Sequence, residues 1–147
     1  MPTSNAATTY LEHKLLNFLF KNNSESFATL GDSIYIGLAT AVVDPEAGTV
    51  TEINTGTEDA NYVRQQVTAA NWNETSIGTD TQSVSNAANI EFPASSGVST
   101  YTVTHVFIVD AASSGNIIFI GALDVNKTIA SGDVFRINTG NLTIELK

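Results

Sequence analysis

The chain has 147 residues, 42% of them hydrophobic and only 14% charged, which suits one globular domain with a buried core. Fifteen acidic and six basic residues give a net charge of −9, which argues against nucleic acids and anionic membranes as partners, because both bind clustered Lys and Arg. The absence of cysteine excludes disulfide bonds and thiolate metal sites.

The first predicted element is a helix that begins at Thr9 and ends at Asn22–Asn23. Thr9 and Glu12 have the spacing of a capping box, in which each side chain satisfies a free N–H at the start of a helix. Apolar residues then recur at helical spacing and form one stripe: Leu11, Leu15, Phe18 and Leu19. Asn22 and Asn23 are suited to end the helix. The stripe is broad for a helix that packs on one sheet, so we predict that it also contacts another subunit.

Beyond residue 31 the apolar pattern changes to the period of two that is typical of strands. We predict strands at residues 33–39, 49–53, 61–68, 83–92, 101–110, 116–123, 134–138 and 142–147. The segment 101–110 is apolar on both faces in its second half, which predicts a central strand. Turns recur at the spacing of all-β sandwiches, so we predict a mainly β, antiparallel β-sandwich with one N-terminal α-helix. Residues 1–30 are expected to form an arm with the helix, and residues 31–147 the sandwich.

Side chains with catalytic or metal-binding chemistry are few. Motifs such as G-x-S-x-G and H-E-x-x-H are absent, and no second histidine or cysteine lies near His105, which we interpret as buried or interfacial. Five acids lie in and around residues 40–60: Asp44, Glu46, Glu52, Glu58 and Asp59. They lack the EF-hand spacing, so a solvated acidic loop is favoured over a calcium site. We therefore predict a protein that is not an enzyme and that has no cofactor.

Arg64 is one of only six basic residues and lies in the segment NYVRQQV. Three interpretations stay open: an exposed strand residue, an ion pair with an acid such as Glu58 or Asp59, or an anchor at a subunit contact. Arginine, tyrosine and tryptophan are the residue types that contribute most at protein interfaces. We therefore predict that four residues of this region join the helix stripe in an interface: Tyr62, Arg64, Gln66 and Trp72.

Several segments, in order along nearly the whole chain, resemble a family of tailed-bacteriophage structural proteins. They are YLEHKLLNFLF, IYIGLAT, NYVRQQV, NAANIEFPA, VTHVFIVDAASSGNIIFIGAL and KTIASGDVFRINTGNLTIEL. Some members of this family are tail-fibre proteins, and others are capsid decoration, or cement, proteins. The resemblance implies an antiparallel jelly-roll-like β-sandwich that decorates the virion, and it implies no catalytic residues. Two places depart from the family pattern: SSGN stands where a double glycine is commoner, and EDAN precedes Tyr62 where glycines are usual.

Three hypotheses about function follow. The first is a capsid decoration protein on the outer capsid surface, assembled in the host cytoplasm, which bridges capsomers of the mature head. Its expected partners are the major capsid protein and itself, as a homodimer or homotrimer. The second is a component of the tail fibre or tail tip. The third belongs to a different class and is a carbohydrate-binding β-sandwich module, with calcium at the 40–60 loop as an option.

Overall fold

The computed structural model of the protein describes residues 6–21, 34–73, 76–77 and 82–146. These residues form one α-helix, α1 (Thr9–Phe20), a short 3-10 turn (Ala69–Asn71) and eleven strands. In chain order the strands are β1 (Ala6–Ala7), β2 (Tyr35–Asp44), β3 (Thr49–Glu52), β4 (Gln65–Gln66), β5 (Ser76–Ile77), β6 (Gln82–Ser85), β7 (Ile90–Glu91), β8 (Tyr101–Val109), β9 (Ile117–Ile129), β10 (Arg136–Ile137) and β11 (Thr143–Leu146).

The strands form three antiparallel sheets. The largest has the order β1-β9-β8-β2-β3, and β4 pairs with β2 at the start of that strand. The second has the order β11-β6-β5, and the third consists of β10 and β7. The predicted class, mainly β and antiparallel with an N-terminal helix, is confirmed. The curled large sheet, with the two smaller sheets beside it, is compatible with a jelly-roll-like sandwich.

The main core joins the large sheet to the smaller strands. Val106 and Ile108 of β8 belong to the same buried cluster as Ile90 of β7 and Ile137 of β10. Aromatic rings extend this core, because Phe92 stacks on Tyr62 with a centroid distance of 6.1 Å and meets the edge of Phe135 at 5.8 Å. These contacts explain why inward-facing residues alternate along the strands.

The strand β8 is central, as its sequence predicts. It pairs with β2 on one side and with β9 on the other, and both of its faces are buried from Val106 to Val109. Val106 and Ile108 face the main core, whereas Phe107 and Val109 belong to a second buried cluster. A strand that is buried on both faces cannot keep a polar side, which is why this segment reads as a continuous apolar run.

Several predicted strands differ in extent from those in the structure. Only Gln65 and Gln66 of the segment 61–68 pair with β2, because β3 pairs with the other end of the same edge. The segment 83–92 is divided into β6 and β7 by Asn86, whose buried amide bonds to backbone groups instead of continuing the ladder. The segment 116–123 continues as β9 to Ile129, through residues that the sequence assigns to a loop.

The start of the helix differs by one residue from the prediction. The N-cap is Thr8, not Thr9, since the extended backbone of Thr8 lets its Oγ1 accept from the N–H of Leu11 at 3.5 Å. Thr8 is held there because its hydroxyl also donates to the carbonyl of Ile117 at 2.6 Å. The helix ends at Phe20 with Lys21 as its C-cap, since the N–H of Lys21 donates to the carbonyl of Asn17, so it ends before the predicted Asn22–Asn23. Asn22, Asn23 and the predicted domain boundary at residue 30 lie outside the described residues, so that boundary stays a prediction.

Candidate functional site

The helix α1 presents its apolar side chains away from the body of the protein. None of its twelve residues is buried, and five large apolar side chains on it are between 41% and 77% exposed. We call this surface the exposed helix face: Leu15, Leu16, Phe18, Leu19 and Phe20. Of the predicted stripe, only Leu11 packs against the main core. An amphipathic helix normally buries its apolar side, whereas the described residues leave the apolar side of α1 uncovered.

Polar contacts attach the inner side of the helix to the body. The N–H of Thr9 donates to the carbonyl of Glu46 at 2.9 Å, and the hydroxyl of Tyr10 donates to Asp110 Oδ2 at 3.3 Å. Burial alone raises the pKa of the Asp110 carboxyl, but hydrogen bonds from Asn116 and Tyr10 outweigh it, and the pKa lies below its ordinary value. These contacts are to polar groups, so they hold the helix in place without covering its apolar side chains.

Arg64 lies inside its own chain. Its guanidinium makes a bidentate ion pair with Glu52, in which Nε donates to Oε1 and Nη2 to Oε2, both at 2.8 Å. Its Nη1 donates to the carbonyls of Ala111 at 2.9 Å and Ser114 at 2.7 Å, and its Cζ lies 5.3 Å from the ring centroid of Phe107. The hydrogen bond and charge of Glu52 raise the pKa of Arg64 above its ordinary value, although burial opposes them. Arg64 therefore connects β3, the β8–β9 turn and the second buried cluster.

The sequence predicts an acid as one possible partner for Arg64, and the structure identifies it as Glu52 rather than Glu58 or Asp59. Glu58 instead accepts from the N–H of Asn54 at 2.8 Å. Asp59 is 2% exposed and accepts from the N–H of Ser96 at 2.9 Å. The side chains of Glu58 and Asp59 thus have other partners, and Glu52 of β3 is the acid that bonds to the guanidinium.

The other predicted interface residues have different positions. Tyr62 is buried, and its hydroxyl donates to Glu52 Oε1 at 2.8 Å and accepts from the N–H of Leu38 at 3.0 Å. Burial raises the pKa of Tyr62 above its ordinary value. Trp72 is half-buried against the main core, and its Nε1 is buried without a hydrogen-bond partner in the described structure. Gln66 is exposed on β4. Tyr62 and Arg64 thus bond within their own chain. An interface role stays a prediction for all eight residues that the sequence proposes: Leu11, Leu15, Phe18, Leu19, Tyr62, Arg64, Gln66 and Trp72.

An open groove, which the sequence does not predict, lies between β9 and the strands β10 and β11. It has a volume of about 1020 Å³, and its lining includes Val106, Phe119 and Leu123. Three exposed apolar side chains are among its lining residues: Val125, Val134 and Leu146. Within the described residues, β1 pairs with the outer edge of β9 only at Phe119 and Ile120. We call this feature the β9–β11 groove. In the sequence, this groove is indicated only by the apolar residues that follow Gly121.

Comparison with known families identifies the chain. Residues 6–145 match the family described as podophage GP4 fiber I protein gp80. The chain belongs to the gp80 family. The resemblance to phage structural proteins of the tail-fibre type is thereby confirmed, and the protein is a phage fibre-like structural protein. A comparison with curated proteins finds no match to it.

The gp80-family chain shows no metal-binding cluster among the residues that the structure describes. Three acids of the 40–60 segment accept from separate backbone N–H groups, and a fourth, Glu52, pairs with Arg64. Asp44, for example, accepts from the N–H of Ala47 at 3.1 Å. His105 is half-buried, its Nδ1 lies 2.7 Å from the hydroxyl of Thr104, and burial lowers its pKa. In the described part of the chain, no helix is both long enough and apolar enough to cross a bilayer.

Proposed function

We propose that this gp80-family chain is a non-enzymatic structural subunit of the phage tail fibre, and that it assembles there through the exposed helix face. The observation that carries the proposal is the orientation of α1, which turns five large apolar side chains outward. Covering one such side chain is worth roughly 1.5 to 3 kcal/mol relative to leaving it in water. Five of them on a single twelve-residue helix are a strong reason for this surface to meet another protein.

The interior of the protein supports a structural role. The polar groups that are buried in the described residues serve the fold: Asn86 bonds to three backbone groups, and Asp59 bonds to Ser96, Asn61 and Tyr101. Arg64 is used in the same way. A β-fold stiffened by such internal bonds suits a subunit whose task is to hold neighbours at fixed positions.

Capsid decoration is the second candidate, and the β9–β11 groove is the observation that favours it. A protein that bridges capsomers needs at least two separate contact surfaces, and this chain has an exposed helix face and an apolar groove. In this case the partner is the major capsid protein, and binding that is restricted to the mature lattice stabilises that lattice by mass action.

Binding to isolated virion parts tests the proposal. Purified protein is mixed with tails that lack this subunit and, separately, with expanded capsids that lack it, and bound protein is measured after sedimentation. We expect binding to tails by the wild type, and loss of binding by the double variant Leu16→Lys/Leu19→Lys, whose two side chains are 57% and 58% exposed and contribute little to the fold. The matched control is Val43→Lys, which places a charge on an equally exposed apolar residue elsewhere.

Each outcome has one meaning. If the protein binds to capsids and not to tails, it is a capsid decoration protein, and the proposed tail-fibre function is wrong. If the helix variant binds to tails as well as the Val43→Lys control does, the exposed helix face is not the surface through which the protein assembles. Circular dichroism and the thermal midpoint of each variant show whether the fold is intact.

A further inference from the structure

We infer that the exposed helix face of one copy docks into the β9–β11 groove of the next copy, so that the chain assembles head to tail. This inference rests on the proposed function, and it specifies the surface that receives the helix. Both surfaces belong to the same chain, and among the residues that the structure describes none from α1 lines the groove. The helix of a chain therefore does not occupy its own groove.

The dimensions of the two surfaces agree. A helix of twelve residues is about 18 Å long and about 10 Å wide. The part of β9 that borders the groove, from Phe119 to Ile129, is about 33 Å long at the rise of an extended strand. Docking of an amphipathic helix into an apolar groove is a common mode of recognition, in which side chains at helical spacing enter the groove. Leu15, Leu16 and Leu19 have that spacing.

The charges of the two surfaces are opposite. The segment 9–21 carries Lys14, Lys21 and one acid, Glu12, so it is net positive in a chain whose net charge is −9. The groove is lined by three acidic residues, Asp124, Asp133 and Glu145, and two basic residues. Opposite charge steers the helix toward the groove, whereas a symmetric pairing of two helices brings two positive segments together.

The contact is heterologous, because it joins two different surfaces. Such a contact repeats from copy to copy and produces a closed ring or an open filament, depending on the rotation between neighbours. A symmetric helix-to-helix contact ends at the dimer and leaves both grooves exposed. The number of copies is therefore set by the angle at which α1 leaves the body.

Complementation between two monomeric variants tests this geometry. The helix variant is Leu16→Lys/Leu19→Lys, and the groove variant is Val125→Lys/Leu146→Lys, whose side chains are 66% and 57% exposed. Sedimentation velocity and native mass spectrometry give the masses. We expect the wild type and the control Val43→Lys to form oligomers, and each double variant alone to be a monomer. A 1:1 mixture of the two variants should form heterodimers and nothing larger, because it retains one working helix and one working groove per pair.

The alternative results overturn the inference in distinguishable ways. If the groove variant assembles like the wild type and the helix variant does not, the helices pair with each other, and the proposed function stands. If the wild type is a monomer at all concentrations but binds tails through its helix, the occupant is another virion protein, and the function again stands. If the helix variant both assembles and binds tails like the wild type, the inference and the role of the helix in the proposed function fail together.

Discussion

Arg64 is stabilised by a full set of partners within one chain. The side chain is 9% exposed, and four hydrogen bonds and the ring of Phe107 surround its guanidinium. Arg136 provides a natural contrast, since its ion pair with Glu91 has both side chains about half exposed. Partners of a buried charge cannot be replaced by water, whereas those of an exposed charge can. The two arginines of the chain thus have different roles despite the same chemistry.

The first prediction compares the two arginines. Arg64→Ala should lower the free energy of unfolding by about 3 kcal/mol or more, because it leaves Glu52 and two carbonyls without their donor. Arg136→Ala should lower it by less than about 1 kcal/mol. Urea unfolding, followed by fluorescence, measures both. Equal losses in the two variants would contradict the structural role of Arg64. The main effect expected at Arg64 is thus on folding, whereas the sequence alone suggests an effect on assembly.

At the scale of the elements, the pairing of β2 with β8 depends on a close approach. Gly37 lies directly opposite Phe107, and the Phe107 ring occupies the space above it, so that a Cβ on Gly37 would lie 2.2 Å from the ring. The glycine lets Phe107 lie flat on β2 and beneath Arg64. Gly121 of β9 lies opposite Val106, where the nearest atom to an added Cβ is at 3.9 Å. Both residues are glycines within strands, but only Gly37 is required by packing.

The second prediction follows from this difference. Gly37→Ala should destabilise the protein by about 2 kcal/mol or more, because Phe107 must leave its position in the second buried cluster. Gly121→Ala, the matched control, should change the unfolding free energy by less than about 1 kcal/mol, since there is room for the methyl group. Thermal unfolding of the two variants side by side provides the measurement. A tolerated Gly37→Ala would show that the ring can repack at low cost.

At the scale of the whole molecule, one hydrogen-bonded pair links distant parts of the chain. Tyr101 at the start of β8 donates to Asp59 Oδ2 at 2.9 Å. Burial, followed by the bond to Asp59, raises the pKa of Tyr101 above its ordinary value of 10.0. Burial alone raises the pKa of Asp59, but hydrogen bonds from Ser96, Tyr101 and Asn61 outweigh it and lower the pKa below 3.8. The pair is therefore stable in the form with a neutral tyrosine and a charged aspartate.

The third prediction is a pH dependence with two limbs. A lowered carboxyl pKa gives stability that is present above pH 3.8 and is lost as the pH falls through the folded pKa of Asp59. A raised tyrosine pKa gives stability that is present below pH 10.0 and is lost as the pH rises toward the folded pKa of Tyr101. The free energy of unfolding should therefore be constant between pH 3.8 and pH 10.0, and it should decrease below and above this range.

The variants Asp59→Asn and Tyr101→Phe separate the two limbs. Each should lower stability at neutral pH by about 1.5 kcal/mol, through loss of a hydrogen bond to a charged group. Asp59→Asn should flatten the acid limb only in part, because the pKa of Asp110 is also below its ordinary value. Tyr101→Phe should flatten the alkaline limb only in part, because burial also raises the pKa of Tyr62. Denaturant titrations across the pH range measure these slopes, and an unchanged alkaline slope in Tyr101→Phe would refute the assignment.

Local patterns in the sequence were sufficient where one strand or helix determines its own conformation. The apolar run of β8 predicts a central strand, and the alternation of Ile36 and Leu38 predicts their burial. The helix is also predicted from local spacing, although its cap is Thr8. Where the partner lies far along the chain, the prediction failed: Asn86 divides the predicted strand 83–92 because it bonds to residues near 138 and 142.

The sequence by itself determined the mainly β class, the single N-terminal helix and the likeness to phage structural proteins, because periodicity and ordered segments are properties of the linear chain. Only the tertiary structure decided which side of α1 meets the body, since the polar anchors at Glu46 and Asp110 lie far away in sequence. It also decided that Arg64 pairs with Glu52 and that a groove lies beside β9. The physical reason is the same in each case: these features are made by groups that only folding brings within bonding distance.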